Sequence, residues 1–127
     1  MSESPAQRRA RQALALVCAA TVVFLAARDL FVPHVRDVEV WLGFELHGLA
    51  ARLTAPLHWG IFALGAWAFW RGKPWCWGAA AAYGLYVAVS HLVWNLTSPR
   101  GDGWPAGLAE AAAISSLALG LWWLGRR

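Results

Sequence analysis

The hydrophobic residues of this chain collect in four long blocks separated by polar segments. A membrane-spanning helix needs about 20 mostly apolar residues, since each residue adds about 1.5 Å toward crossing roughly 30 Å of hydrocarbon. Each block is long enough, and the connections around the third block are short enough to make neighbouring helices antiparallel. The pattern predicts an all-α membrane protein, a four-transmembrane-helix antiparallel bundle in one domain spanning 1–127, with spans at about 13–32, 53–70, 75–96 and 104–125.

Basic residues mark one end of the predicted bundle. They form three clusters: Arg8, Arg9 and Arg11 before the first block, Arg71 and Lys73 between the second and third, and Arg126 and Arg127 after the fourth. In an even-numbered bundle all three fall on one side, and an excess of Lys and Arg marks the cytoplasmic side. Together with a composition rich in Ala, Gly, Arg and Trp, this predicts a multi-pass protein of a bacterial inner membrane with both termini cytoplasmic.

The first block has a second interpretation, as a signal peptide. Basic "QRRARQ" precedes an apolar centre, and "FLAA" offers a cleavage site. We interpret this block as a retained first span.

The segment 33–52 forms the long outer loop between the first two spans, and it fits two patterns. Apolar and polar residues alternate over 38–47, which is typical of a strand. A lone strand would leave its edges unpaired. We therefore favour an interfacial helix at least from Glu45 into the second span, in an amphipathic loop that covers the mouth of the bundle. A helical apolar stripe fits through Val35, Val38, Leu42, Leu46, Leu49 and Leu53.

Composition supports the membrane assignment. The chain is 59% hydrophobic and 14% charged, against roughly 45–50% and about 25% in soluble domains. The net charge of +4 comes from basic residues at the ends of apolar blocks, so we expect no nucleic-acid partner. Cys18 and Cys76 match no metal or disulfide spacing, and we predict no metal site.

Nine of the ten tryptophans fall near the ends of the predicted spans. Aromatic side chains at such positions anchor helices in the membrane interface. We therefore expect interface anchors, not a sugar or nucleobase site. The outer anchors are Trp41, Trp59, Trp94 and Trp104, and the cytoplasmic ones are Trp70, Trp75, Trp77, Trp122 and Trp123.

Ionisable residues of the spans gather near the outer ends. His58, His91 and Glu110 lie roughly 7–9 Å inside those ends at about 1.5 Å per residue, and Arg28 and Asp29 end the first span. Burying such groups in hydrocarbon costs at least a few kcal/mol, which points to function. Small residues of the third span, Ala80, Gly84 and Ala88, form a stripe for close helix contact that continues through His91 and Asn95.

We predict an outward-facing ligand pocket lined by His58, His91, Asn95 and Glu110. A structural role is the alternative. Glu110 would then pair with Arg28 or a histidine, so that Arg28, Asp29 and Glu110 hold the helices in register. The histidines would be interfacial residues exposed to water from outside, and Asn95 would cap the third span or bond a neighbouring helix.

Three chemistries fit such a pocket. Two histidines on facing helices are able to bind haem b axially. His and Glu are able to relay protons for a quinone or lipid substrate. The pocket also suits a lipid, pigment or quinone held without reaction. We predict no cofactor, with haem b and quinone kept as alternatives, and we rank a transporter last because the inner halves of the spans lack ionisable residues.

The order of spans, the outer loop, the basic "WRGKPW" turn and "AAYGLYVAVSHLVWNLTSP" resemble the DoxX-like group of small bacterial four-helix membrane proteins. The resemblance covers the middle and C-terminal parts of the chain. DoxX proteins proper are associated with quinone-linked redox complexes, so the resemblance implies work inside a larger complex. The architecture is also similar to EXPERA-domain sterol-binding and isomerase proteins. Their glutamate and histidine motifs do not match here, and no catalytic role is carried over.

These observations favour a non-catalytic accessory subunit or a small hydrophobic-ligand binder. Its partners would be the lipid bilayer and other membrane subunits or further copies of itself. The rival is a membrane redox enzyme, or an enzyme that modifies a lipid or quinone, using His58, His91 and Glu110.

Overall fold

The computed structural model describes residues 3–35 and 37–126, which form four long helices and one β-hairpin. Each predicted span corresponds to one helix. Arg127, used above for orientation, lies outside the described residues. In chain order the elements are α1 (Pro5–Phe31), β1 (Val38–Trp41), β2 (Phe44–His47), α2 (Gly48–Trp70), α3 (Cys76–Thr97) and α4 (Gly103–Gly125).

Three of the helices, α1, α3 and α4, are long and apolar enough to cross a membrane. This length and composition indicate a membrane protein. Helix α2 is as long as α4, at 23 residues, but Arg52, Pro56 and His58 in its first half lower its hydropathy. All four helices present large apolar side chains on their outer surfaces, as at Phe24, Leu57, Val89 and Leu117.

Helix α1 begins well before its apolar block because a capping box starts it. The Ser4 side chain accepts from the Gln7 backbone N–H at 3.2 Å, and the Gln7 side chain accepts from the Ser4 N–H at 2.9 Å. These bonds satisfy backbone donors that the first helical turn leaves without partners. The basic residues after Ser4 are therefore helical and extend α1 beyond the apolar block.

The helices pack as two antiparallel pairs, α1 with α2 and α3 with α4. Small residues allow the close approach of α3 and α4, since a Cβ added at Gly84 would lie 2.9 Å from Ala118 Cβ. Contact between α2 and α3 is sparse. This sparse contact leaves space between the two pairs.

The two pairs meet in a small core at one end. Phe69 and Trp77 meet edge to face there, with ring centroids 5.5 Å apart. Trp77 is therefore a core residue, which corrects its expected role as an interface anchor. Hydrogen bonds from Gln7 to the Leu124 carbonyl (2.9 Å) and from Arg11 to the Trp70 carbonyl (2.9 Å) bring both ends of the chain and the α2–α3 turn together.

The expectation of a helix from Glu45 into the second span is wrong for residues 45–47, which belong to β2, and is confirmed from Gly48 onward, where α2 begins. Strands β1 and β2 pair antiparallel, with Val40 opposite Glu45. Each strand therefore pairs with the other half of the same segment. This pairing satisfies backbone N–H and C=O groups that a lone strand would leave unpaired. Leu42 (φ 51°) and Gly43 (φ 83°) make the turn, where positive φ at both positions suits a tight two-residue hairpin.

Candidate functional site

A cavity of about 340 Å³ lies between β1, α2 and α3, at the end opposite the termini. Val40 and His58 form one wall, and one face of α3 forms the other. The α3 residues recur at spacings of three and four, which places them on a single helix face. We call this cavity the outer pocket; its α3 residues are Tyr83, Tyr86, Val87, Ser90, His91 and Trp94.

The structure brings two of the four predicted pocket residues to the wall, His58 and His91. Asn95 and Glu110 lie instead where α3 meets α4. Asn95 is 3% exposed; it donates to Glu110 Oε2 at 3.0 Å and to the His91 carbonyl at 2.9 Å, and it accepts from the Asp102 N–H at 3.0 Å. Asn95 therefore fixes the α3–α4 connection, as its structural alternative proposed.

His58 is held by a buried carboxylate. Its Nδ1 donates to Glu39 Oε1 at 2.6 Å, because a carboxylate only accepts. Glu39 is 7% exposed and also pairs with Arg28 Nη2 at 3.5 Å. The His58 ring stacks flat on Trp41, with centroids 4.0 Å apart and planes 3° apart. The ring is thus fixed by β1 on both an edge and a face.

The same network reaches α1. Arg28 Nε donates to Asp29 Oδ1 at 2.6 Å, and Trp59 Nε1 donates to Asp29 Oδ2 at 2.9 Å. Asp29 is 8% exposed. Arg28 therefore lies between two carboxylates, those of Asp29 and Glu39, and ties α1 to β1. The predicted ion-pair role of Arg28 and Asp29 fits this arrangement.

His91 pairs with Glu110. A histidine was one of the two partners expected for Glu110 in its structural role. Nδ1 of His91 donates to Glu110 Oε2 at 2.8 Å, and both side chains are nearly half exposed, at 48% and 44%. A carboxylate on Nδ1 selects the tautomer of a neutral ring and leaves Nε2 as an acceptor. No described residue hydrogen-bonds Nε2 of either His58 or His91, and both residues line the outer pocket.

Two buried polar atoms near the outer pocket have no hydrogen-bond partner among the described residues: Trp41 Nε1 and Ser90 Oγ. Ser90 lines the pocket itself. A buried polar group without a partner costs about 1–3 kcal/mol. An acceptor on a bound molecule would remove that cost at Ser90.

Glu45 on β2 fastens the hairpin to the end of α3. Its Oε1 accepts from Trp94 Nε1 (3.0 Å), Ser98 Oγ (2.9 Å) and Arg100 Nη2 (2.7 Å). The Arg100 guanidinium, helped by Ser98 and Trp94, lowers the pKa of Glu45 to about 2. We call these contacts the Glu45 latch. Trp94 also lines the outer pocket, so the latch positions part of its wall.

The predicted tryptophan anchors divide into three groups. Trp41, Trp59 and Trp94 are half-buried and engage His58, Asp29 and Glu45. Trp77 lies in the core. Five have exposed rings near helix ends, as interface anchors require: Trp70, Trp75, Trp104, Trp122 and Trp123.

Several functional residues escaped the sequence prediction. Glu39 lies in the outer loop, and no spacing rule connects it to His58. Tyr83, Tyr86 and Ser90 carry a usable signal, because they share with His91 and Trp94 the helical spacing of one face.

No group of three His, Cys, Asp or Glu side chains suited to a metal ion occurs in residues 3–35 and 37–126.

Comparison of the chain with models of protein families, with curated proteins and with solved structures gives no match.

Proposed function

We propose that this protein is a small-ligand binder of a bacterial inner membrane. Four spans cross the bilayer with both termini in the cytoplasm, and the outer pocket faces the opposite side. In support, α2 exposes the same kind of large apolar side chains as the other helices, including Leu53, Leu57 and Leu64. Described basic residues lie at the end that holds the termini, including Arg8, Arg9, Arg71 and Lys73.

The outer pocket is the observation that carries this proposal. Its volume of about 340 Å³ falls within the roughly 300–1,000 Å³ of small-molecule sites, which are mostly apolar with a few placed polar groups. Here the apolar part comes from Val40, Val87 and the aromatic rings, and the polar groups are Ser90 and the two histidines. The pocket suits a hydrophobic molecule with one or two hydrogen-bonding groups.

The protein works as an accessory subunit or as an oligomer in this proposal. Two helix pairs with little contact between them (α1–α2 and α3–α4) expose long apolar faces, and further membrane subunits or copies are suited to cover them. The relation to the DoxX-like group belongs to the same proposal, and a quinone is one ligand that the pocket suits.

Mass spectrometry of small molecules that copurify with the protein from native membranes tests the proposal. Val87→Trp fills the outer pocket, whereas Val89→Trp places the same ring on an exposed position of the same helix. We expect a hydrophobic compound in near-stoichiometric amount with the wild type and Val89→Trp. With Val87→Trp we expect at least about tenfold less, because the indole ring would occupy space that the ligand needs and a tenfold loss corresponds to only about 1.4 kcal/mol of binding free energy. Equal amounts in all three would contradict it.

A second candidate is an enzyme that removes a proton from its ligand. The His91–Glu110 pair favours it, because a histidine that is held by a carboxylate and lines a pocket is the arrangement of a general base. Glu110→Gln separates the two functions. Lost turnover of the copurifying compound with retained binding would support the enzyme, and unchanged behaviour in Glu110→Gln and His91→Ala would support the binder.

A further inference from the structure

A second cavity of about 320 Å³ lies among all four helices, deeper than the outer pocket. Its lining is almost wholly apolar and includes Leu14, Cys18, Phe62, Ala79 and Ala80. We call it the inner groove. Along α2 it extends from Ile61 to Phe69, which is about 12 Å at 1.5 Å per residue.

The two cavities share a wall. Tyr83 lines both the outer pocket and the inner groove. Its ring lies 5.7 Å from Tyr86 of the outer pocket and 5.6 Å from Phe62 of the inner groove. On α2, Phe62 lies one turn beyond His58, so the cavities also follow one another along that helix. The two cavities are therefore neighbours with the Tyr83 ring as a common wall, and a chain that leaves the outer pocket on the side of Tyr83 would enter the inner groove.

The walls become less polar from the outer pocket to the inner groove. Near the end of the bundle the walls offer a serine hydroxyl and two histidines, and further in they offer aliphatic and aromatic groups with the Cys18 thiol. The inner groove is lined on one side by α2 and on another by α3, two helices that make little contact with each other. In a bilayer such a space between helices takes hydrocarbon, because burying a polar group there without a partner is costly.

We propose that the ligand is a single-tailed amphiphile with its neutral polar head in the outer pocket and its hydrocarbon tail in the inner groove. This rests on the proposed function, since it describes the molecule held at that same pocket. The tail is already in an apolar solvent before it binds, so the groove adds little hydrophobic free energy. Its effect is to fix where the tail lies.

Photolabelling locates the tail directly. The probe is decyl 4-hydroxybenzoate with a diazirine at the end of its chain, added to the full-length protein in phosphatidylethanolamine and phosphatidylglycerol nanodiscs. We expect labelled peptides around Cys18 and Ile61, with labelling reduced by excess methyl 4-hydroxybenzoate, which has the head without the tail. Labelling of Val23 or Leu117, which face outward, without competition by the methyl ester would overturn the proposal.

Two alanines of α3 give a matched pair of variants. Ala79 lines the inner groove, and Ala82 is also exposed but lines neither cavity. Ala79→Phe should reduce labelling at Cys18 about tenfold by filling the groove, while Ala82→Phe leaves it unchanged. Equal effects of the two variants would contradict the proposal.

The same experiment separates this inference from the proposed function. If the methyl ester competes in the wild type but not in Val87→Trp, ligand binding at the outer pocket is supported. If the tail labels are at the same time scattered over outward-facing residues, the tail does not occupy the inner groove and the present proposal is contradicted. Absence of saturable binding by both esters, in the wild type and in Val89→Trp, would contradict both proposals.

Discussion

At the residue scale, two histidine–glutamate pairs of similar geometry lie in different surroundings. His58 and Glu39 are 2.6 Å apart with the Glu39 side chain 7% exposed, whereas His91 and Glu110 are 2.8 Å apart with Glu110 44% exposed. Removing one member of a buried charged network leaves its partner uncompensated, while an exposed pair contributes little. The first pair therefore holds the fold, and the second orients His91.

Glu39→Gln tests this difference. The substitution leaves Arg28 with a single carboxylate and weakens the hold on His58. We expect it to lower the free energy of unfolding by about 3 kcal/mol. The matched variant Glu110→Gln should cost much less, because both members of its pair are nearly half exposed. Denaturant unfolding in detergent micelles measures both, and equal costs would show that burial does not distinguish the pairs.

The Glu45 latch gives the stability a dependence on pH. Arg100 lowers the pKa of Glu45 from the ordinary 4.5 to about 2, so the carboxylate is favoured in the folded protein. The stabilisation is complete above about pH 4.5 and is lost as the pH falls toward 2. The difference in melting temperature between wild type and Glu45→Gln should therefore be full at neutral pH and shrink in acid. A difference that stays constant from pH 7 to 2 would contradict the latch.

At the element scale, the β-hairpin closes the outer pocket by lying directly on α3. A Cβ added at Gly43 would come within 2.5 Å of the Ser90 carbonyl oxygen and of Val93 Cβ. The alternating residues over 38–47 fitted a strand, but we favoured a helix because no partner strand was visible. The partner was the second half of the same segment, joined through Leu42 and Gly43, a turn without the strongest hairpin sequence, Asn-Gly.

Gly43→Ala tests the seating of the hairpin, with Gly48→Ala as its control. Both glycines have positive φ, but a Cβ at Gly48 would meet nothing within 4 Å. Gly48→Ala should therefore cost only backbone strain, about 1–2 kcal/mol. Gly43→Ala should cost more and speed hydrogen exchange of the β1 and β2 amides, because the hairpin must lift from α3. The same exchange in both variants would show that the hairpin is not seated there.

Helix α3 shows how much of the site could be predicted from its sequence. His91 was predicted from its cost in an apolar span, and the stripe of Ala80, Gly84 and Ala88 predicted close contact, which the structure places against α4. Tyr83 and Tyr86 were not predicted as pocket residues. Only the hairpin turns their face into a pocket wall, and that contact joins segments far apart in the chain.

At the scale of the whole molecule, the apolar blocks predicted the helices well because length and hydropathy are local properties. The assembly into two pairs depends on packing between distant residues, such as Trp77 against Gly125. The depth of His58 and His91 predicted their common pocket, since helix rise converts sequence distance to depth. Depth does not give the direction in which a side chain points, so Asn95 and Glu110 were placed in the pocket incorrectly.

The proposed topology is testable in bacterial cells. In a Cys18→Ala and Cys76→Ala background, Asp102→Cys and Arg71→Cys place single thiols on exposed positions at opposite ends of the bundle. A thiol reagent that does not cross membranes should label Asp102→Cys in intact cells and Arg71→Cys only after permeabilisation, because basic residues stay cytoplasmic. Labelling of Arg71→Cys from outside would reverse the proposed orientation.

The occupancy of the outer pocket tests the central claim most directly. An experimental structure of the protein purified from native membranes into nanodiscs would show it. We predict non-protein density beside His58 and His91, with a polar atom within hydrogen-bond distance of Ser90 Oγ. A pocket that holds only water, or one in which Ser90 bonds the Tyr86 carbonyl and the walls have closed together, would contradict the proposal that this protein binds a ligand there.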